Sequence, residues 1–172
     1  MRIKTADLVT TAMFSALIAV FSQLALPSPT GIPVTLQTFI IALTGFVLGS
    51  ERGAVSVLVC IAVGAVGVPV FAGFQGGLGA VFGPTGGFII GFIAMVLLCG
   101  IKTEKFHRRL IYGLFGTAIC HVCGVLWFSL GAGGLLNAFL MGSAPYIIKD
   151  IISVTAALVV SKRISVIVQK FN

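Results

Sequence analysis

Charged residues are scarce in this chain. They make up 9% of its 172 residues, and only four of them are acidic, whereas roughly a quarter of the residues in soluble domains are charged. A surface with so few charges cannot mainly face water, and the solvent that fits it is lipid. The apolar runs are continuous rather than alternating, which disfavours a transmembrane barrel. We therefore expect an all-α integral membrane protein.

Several catalytic, metal-binding and nucleotide-binding motifs are also missing. The sequence contains no Gly-x-Ser-x-Gly nucleophile motif and no His-Glu-x-x-His zinc motif, and no Walker A motif with which to bind ATP. Cys120 and Cys123 have metal-like spacing around His121, but no second pair accompanies them. We expect neither a metal site nor a cofactor, and an enzyme or a purely structural protein remains a minor alternative.

The net charge of +7 does not indicate a nucleic-acid partner, because of where the basic residues lie. They form short clusters between apolar runs, which is typical of residues that set membrane topology.

Hydropathy and turn residues predict a bundle of about six transmembrane helices. Pro27 ends the first predicted span, and Gly-rich connections follow the third and the fifth spans. The predicted spans are Asp7–Leu26, Leu36–Gly49, Ala54–Val68, Phe88–Ile101, Leu110–Leu130 and Pro145–Val160.

Basic residues occupy every second connection of this bundle. They are Arg2, Lys4, Arg52, the group within Lys102–Arg109, and Lys162, Arg163 and Lys170. Cytoplasmic loops retain Lys and Arg, so both termini are predicted to be cytoplasmic, with the uncharged connections outside. We expect one multi-pass domain over residues 1–172 in the cell membrane.

Two charges fall inside the sixth predicted span. Lys149 and Asp150 are flanked by isoleucines, and ionisable residues at membrane depth are functional candidates. With Tyr146 and Ser153 they follow the spacing i, i+3, i+4 and i+7, which is one face of a helix. These four side chains are predicted to line a cavity. The alternative is a Lys–Asp pair that extends to the outer membrane interface.

Two outer segments supply further candidates. The stretch from Pro69 to Gly87 is uncharged and Gly-rich, and irregular backbone of this kind survives in a membrane only where it is buried or lines a cavity. It is predicted to fold over the bundle as a lid. Before the second span, Thr35 and Gln37 are suited to hydrogen-bonding a neutral polar group, although Thr35 is equally suited to capping a helix.

Ala12 and Ala16 form a small-residue stripe on the first span. Such a stripe lets another helix approach closely. The sequence leaves open whether that helix belongs to this chain or to a partner subunit.

Three ordered motifs give the chain a resemblance to a known family. Pro33-Val-Thr-Leu-Gln-Thr-Phe39, Pro69-Val-Phe-Ala-Gly-Phe-Gln-Gly-Gly77 and Gly83-Pro-Thr-Gly-Gly87 resemble the signature run of the BioY family, the biotin-binding S components of energy-coupling-factor (ECF) transporters. The resemblance covers nearly the whole chain. It implies high-affinity biotin uptake, with a transmembrane coupling subunit and two ATPase subunits as partners, and a docking role for Ala12 and Ala16.

The resemblance also implies a ligand site. Asp150 matches the family aspartate and is expected to accept from the ureido N–H of biotin, with Gln37 or Gln75 completing the network. Ser153 stands where the family has a lysine, and Lys149 on the same face is the candidate replacement that would hold the ligand carboxylate. The second motif adds Phe74 and Gly76 to the expected substrate-binding residues. The alternatives are an S component for another small vitamin and a solitary vitamin carrier.

Overall fold

The computed structural model describes residues 4–28 and 32–171, with side chains up to residue 168. Arg2 and the side chain of Lys170, which form part of the charge pattern, lie outside the described residues.

Within these ranges the chain forms eight helices and one two-stranded antiparallel sheet. The sheet pairs Ala25 with Thr35 and Leu26 with Val34. The helices are α1 Thr5–Gln23, α2 Gln37–Leu48, α3 Ser50–Ala65, α4 Leu78–Val81, α5 Gly86–Cys99, α6 Phe106–Phe128, α7 Leu135–Gly142 and α8 Ile147–Phe171, and the strands are β1 Ala25–Leu26 and β2 Val34–Thr35.

The six predicted spans correspond to α1, α2, α3, α5, α6 and α8. In the part of the chain that the structure describes, three segments are long and apolar enough to cross a membrane, namely Thr5–Gln23, Phe106–Phe128 and Ile147–Val168. Only about a third of each is buried, at 33%, 28% and 33%. Their outer faces therefore present apolar side chains to the surroundings, as expected of helices that contact lipid.

The observed helices differ from the predicted spans at several ends. The first helix ends at Gln23, and Leu26 is instead in a strand because a residue before proline is driven to extended backbone. The last helix continues to Phe171, beyond the predicted end at Val160, because Lys and Arg are good helix formers that hydropathy does not count. The short helix α7 lies inside the Gly-rich connection that follows the fifth predicted span.

One end of the bundle gathers the basic connections and is called the basic end. Arg52 at the start of α3 pairs with Asp7 at the start of α1. Arg109 at the start of α6 donates to the Phe46 carbonyl of α2 at 2.6 Å. Lys162 lies over the Phe106 ring at 4.6 Å. The opposite end, where α2, α5 and α8 begin, is called the cavity end.

Small residues allow the helices to approach closely. A Cβ added at Gly91 of α5 would come within 2.8 Å of the Cys120 Cα of α6, so these two helices touch backbone to backbone. Helices α1 and α3 are joined differently. Ser15 donates to the Ser56 carbonyl at 2.9 Å, and Ser56 donates to the Thr11 carbonyl at 3.0 Å.

Candidate functional site

A cavity of about 190 Å³ lies at the cavity end. Its wall combines apolar side chains of α5 with polar side chains from α2, α6 and α8 and from the connection of residues 69–87, which is called the Gly-rich connection from here on. Six of the predicted ligand residues line it, namely Thr35, Gln37, Gln75, Tyr146, Lys149 and Asp150. An apolar chamber with a few convergent polar groups is the usual form of a small-molecule site.

Asp150 is the most deeply placed ionisable residue of this wall. It is 4% exposed, and its two carboxylate oxygens have different neighbours. The Lys149 ammonium pairs with Oδ1, while His121 Nε2 lies 3.1 Å from Oδ2. The carboxylate is therefore held from both sides, by side chains of α8 and α6.

Lys149 lines the cavity and contacts two groups of the bundle. Its ammonium donates to the Thr35 carbonyl at 2.9 Å in addition to pairing with Asp150. Since Thr35 is in β2, this contact joins α8 to the hairpin between α1 and α2. Tyr146, one turn before Asp150, donates from its hydroxyl to the Ile32 carbonyl, so two side chains of the predicted stripe fix the same segment.

His121 was not among the predicted ligand residues. It lies between Asp150 and Ser143, whose Oγ is 2.8 Å from His121 Nδ1, and the Phe88 ring meets its ring edge-on. The sequence does contain a signal for it, because His121 is an ionisable residue in the middle of a predicted span and such residues are functional candidates. Among the residues that the structure describes, no three His, Cys, Asp or Glu side chains are grouped to hold a metal ion.

Gln37 is held in place by two neighbours. Its amide nitrogen donates to the Ser22 hydroxyl at 3.0 Å, and its amide oxygen accepts from the Thr35 hydroxyl at 3.1 Å. The side chain is therefore oriented before any ligand arrives, and the polar atoms of Thr35 and Gln37 are shared between this network and the cavity.

The Gly-rich connection forms part of the cavity wall, through Phe71, Ala72 and Gln75 among others. Gln23, at the end of α1, holds this segment through three hydrogen bonds. Its amide nitrogen donates to the carbonyls of Pro69 at 3.2 Å and Phe71 at 3.1 Å, and its amide oxygen accepts from the Phe74 N–H at 2.9 Å. Sequence patterns gave no indication of this contact.

Three predicted ligand residues do not line the cavity. Phe74 is 72% exposed and has a φ of 59°. Gly76 packs on backbone, since an added Cβ would lie 2.8 Å from the Gly67 carbonyl oxygen, so the glycine serves close packing of the connection. Ser153 is buried in α8, about one turn beyond Asp150, and is not among the lining residues.

Ala12 and Ala16 are both exposed on α1. Their face of the helix is not the one through which Ser15 bonds to α3. Within the described part of the chain, the small-residue stripe is thus not used to pack one helix of this protein against another.

Comparison with known proteins agrees with this architecture. The chain is 37% identical to the probable biotin transporter BioY of Pyrococcus horikoshii, over 95% of this chain and 98% of that protein. It is 33% identical to the biotin transporter BioY of Thermotoga maritima, over 92% and 95% of the two chains.

A solved structure has the same fold. The crystal structure of the S component for biotin from an ECF-type ABC transporter superposes with a TM-score of 0.83, at 27% identity, covering 92% of this chain and 89% of that one. The model of the BioY family matches residues 1–170. The chain therefore belongs to the BioY family.

Proposed function

We propose that this chain captures biotin and serves as the substrate-binding subunit of an ATP-driven ECF-type transporter. The observation that carries the proposal is the buried Asp150 carboxylate, which faces an apolar cavity between Lys149 and His121. The named relatives, a probable biotin transporter and a biotin S component, indicate the same ligand. The protein is a binding subunit, and the hydrolysis of ATP belongs to its partners.

The functional groups of biotin suit the polar and apolar side chains of the cavity. Its ureido group has two N–H donors and one carbonyl acceptor, and Asp150 is suited to accept from one N–H, because hydrogen bonds to charged groups are the strong ones. Gln37 or Gln75 would complete that network. The thioether ring and aliphatic chain fit the wall formed by Phe71, Phe88 and neighbouring side chains.

Lys149 is the proposed partner of the ligand carboxylate. It contacts Asp150 in the structure described here, so it would have to move along the cavity to reach the other end of biotin. The proposal requires that the flexible four-carbon stem of lysine let the ammonium leave Asp150. Thr35, Tyr146 and Ser153 are proposed to support the site, as are Phe74 and Gly76 through the conformation of the Gly-rich connection.

The simplest experiment measures the binding of labelled biotin to the purified chain in detergent, without partner subunits. We expect saturable binding of one biotin per chain, unaffected by an excess of an unrelated vitamin such as thiamine. Biotin binding that an unrelated vitamin abolishes would favour an S component for another vitamin. An absence of biotin binding by a correctly folded chain would contradict the proposal.

We further propose that residues 1–172 form a single domain that crosses the cell membrane six times with both termini in the cytoplasm. The basic connections would then face the cytoplasm, as Lys and Arg in short loops usually do. The coupling subunit and two ATPase subunits would engage the chain within the bilayer and from the cytoplasm.

Labelling of introduced cysteines tests this topology. In a background lacking the native cysteines, a membrane-impermeant thiol reagent applied from outside should label Asn137→Cys but not Glu104→Cys, two exposed positions in opposite kinds of connection. Both should be labelled after the membrane is permeabilised. Equal labelling of Glu104→Cys in intact cells would rule out the six-span arrangement.

A further inference from the structure

We propose that His121 takes up a proton when biotin enters the cavity, and that this proton balances the charge of the ligand carboxylate. The inference rests on the proposed function and assigns a role to a residue outside the sequence motifs of the family resemblance.

Both ring nitrogens of His121 have partners that suit the neutral and the charged ring. Nδ1 is 2.8 Å from the Ser143 hydroxyl, which can donate to a neutral ring or, after rotation of its hydrogen, accept from an imidazolium. Nε2 is 3.1 Å from Asp150 Oδ2, an acceptor in either case. A proton can therefore be added at Nδ1 without loss of either contact.

Among the described residues, the groups around His121 include no positive charge beyond that of Lys149, which Asp150 balances. Helix α8 presents Lys149 and Asp150, Tyr146 lies just before that helix, and α6 itself adds Cys120 to the same wall. The other neighbours are not titratable, namely Phe88 of α5, Ser143 after α7, and Thr35, Gln37, Thr38 and Gln75 around the cavity. With a neutral ring, the charges of Lys149 and Asp150 cancel.

An anionic ligand upsets this balance. The carboxylate of biotin would give the cavity a net negative charge, and an uncompensated charge in an apolar, membrane-embedded site is costly. One proton from solution restores neutrality. The proton is needed at His121 in particular, because movement of Lys149 toward the ligand carboxylate would remove the ammonium from Asp150 Oδ1. A charged His121 then keeps Asp150 paired through Oδ2.

The simpler alternative is that His121 only positions Asp150 as a neutral hydrogen-bond donor. The two roles differ in a measurable quantity. A neutral positioning residue takes up no proton on binding, whereas the proposed role links biotin binding to proton uptake, so that affinity must fall as pH rises.

Calorimetric titration of the purified chain in detergent distinguishes them. Biotin is added at about pH 7.5 in two buffers of different protonation enthalpy, such as phosphate and Tris. The slope of the observed enthalpy against the buffer enthalpy gives the number of protons taken up. We expect wild type to take up a measurable fraction of one proton per biotin.

Three comparisons make the test specific. Biotin amide, which has no carboxylate, should bind wild type without proton uptake. His121→Gln, which keeps a donor for Asp150 and an acceptor for Ser143, should take up no proton with biotin. Ser143→Ala keeps the ring but removes the acceptor for the added proton, and its uptake should fall below that of wild type. Gel filtration and thermal unfolding establish that each variant is folded.

Biotin binding to wild type without proton uptake would overturn the inference and leave the proposed function intact. Equal uptake by wild type and His121→Gln would assign the proton to another group and also overturn it. A wild-type chain that binds no biotin at any pH would overturn both proposals.

Discussion

Replacing Asp150 by asparagine is expected to weaken biotin binding by about 10- to 100-fold, because a hydrogen bond to a charged group contributes about 1.5–3 kcal/mol. Asparagine keeps the shape of the side chain and one acceptor oxygen, but it removes the charge. Lys149 and His121 then face a neutral amide instead of a carboxylate. The measurement is the equilibrium binding of labelled biotin to the purified variant in detergent.

Lys149→Met is the matched control for this prediction. If the two residues hold opposite ends of the ligand, Lys149→Met should weaken biotin about tenfold or more and barely alter the binding of biotin amide, which has no carboxylate to pair. Asp150→Asn should weaken both ligands, since both carry the ureido group.

The outcomes separate the roles of the two residues. An unchanged biotin affinity in Lys149→Met would mean that the ligand carboxylate is held elsewhere, for instance by backbone N–H groups of the Gly-rich connection. An unchanged affinity in Asp150→Asn as well would remove the α8 face from the site and leave the connection with Gln75 as the candidate. Thermal unfolding of each variant shows whether a loss of affinity reflects a loss of fold.

Tryptophan at both Ala12 and Ala16 is expected to abolish biotin uptake while leaving binding to the purified chain intact. The two alanines are exposed on α1, so larger side chains there need not disturb the bundle. A partner helix that approaches closely over small residues would be displaced by two indole rings. Uptake is measured in cells that also produce the coupling subunit and both ATPases, and binding is measured on the purified variant.

Helix α6 offers a matched control for this double substitution. Ala118 and Val122 are also exposed and four residues apart, and tryptophan at both should leave uptake and binding nearly unchanged. Normal uptake in the Ala12 and Ala16 variant would show that this face is not used for docking. Uptake that persists in cells without the ATPase module would favour a solitary carrier.

Much of the fold was accessible from local patterns. Hydropathy, prolines and the alternation of basic clusters predicted the six longer helices in order, because each pattern reflects how a short segment behaves in lipid or at its surface. The errors fell at helix ends such as Leu26 and Val160, where polar residues and the residue before a proline decide the boundary.

In the candidate site too, regular helical spacing was a better guide than the motif of an irregular connection. Helical spacing predicted that Tyr146, Lys149 and Asp150 share one face, and all three line the cavity, with Tyr146 just before α8 and the other two in its first turn. For Phe74 and Gly76 the motif indicated the correct segment but not the direction of the side chains, because a glycine-rich connection has no fixed periodicity.

The sequence by itself determined the class of the protein, the order of its long helices, its family resemblance and the charged face of α8, all of which depend on residues close together along the chain. Tertiary structure alone decided that His121 meets Asp150, that Gln23 holds the Gly-rich connection and that Ala12 and Ala16 remain exposed. These features depend on how helices distant in sequence pack together, and no local pattern of hydropathy or spacing encodes the direction from which a neighbouring helix arrives.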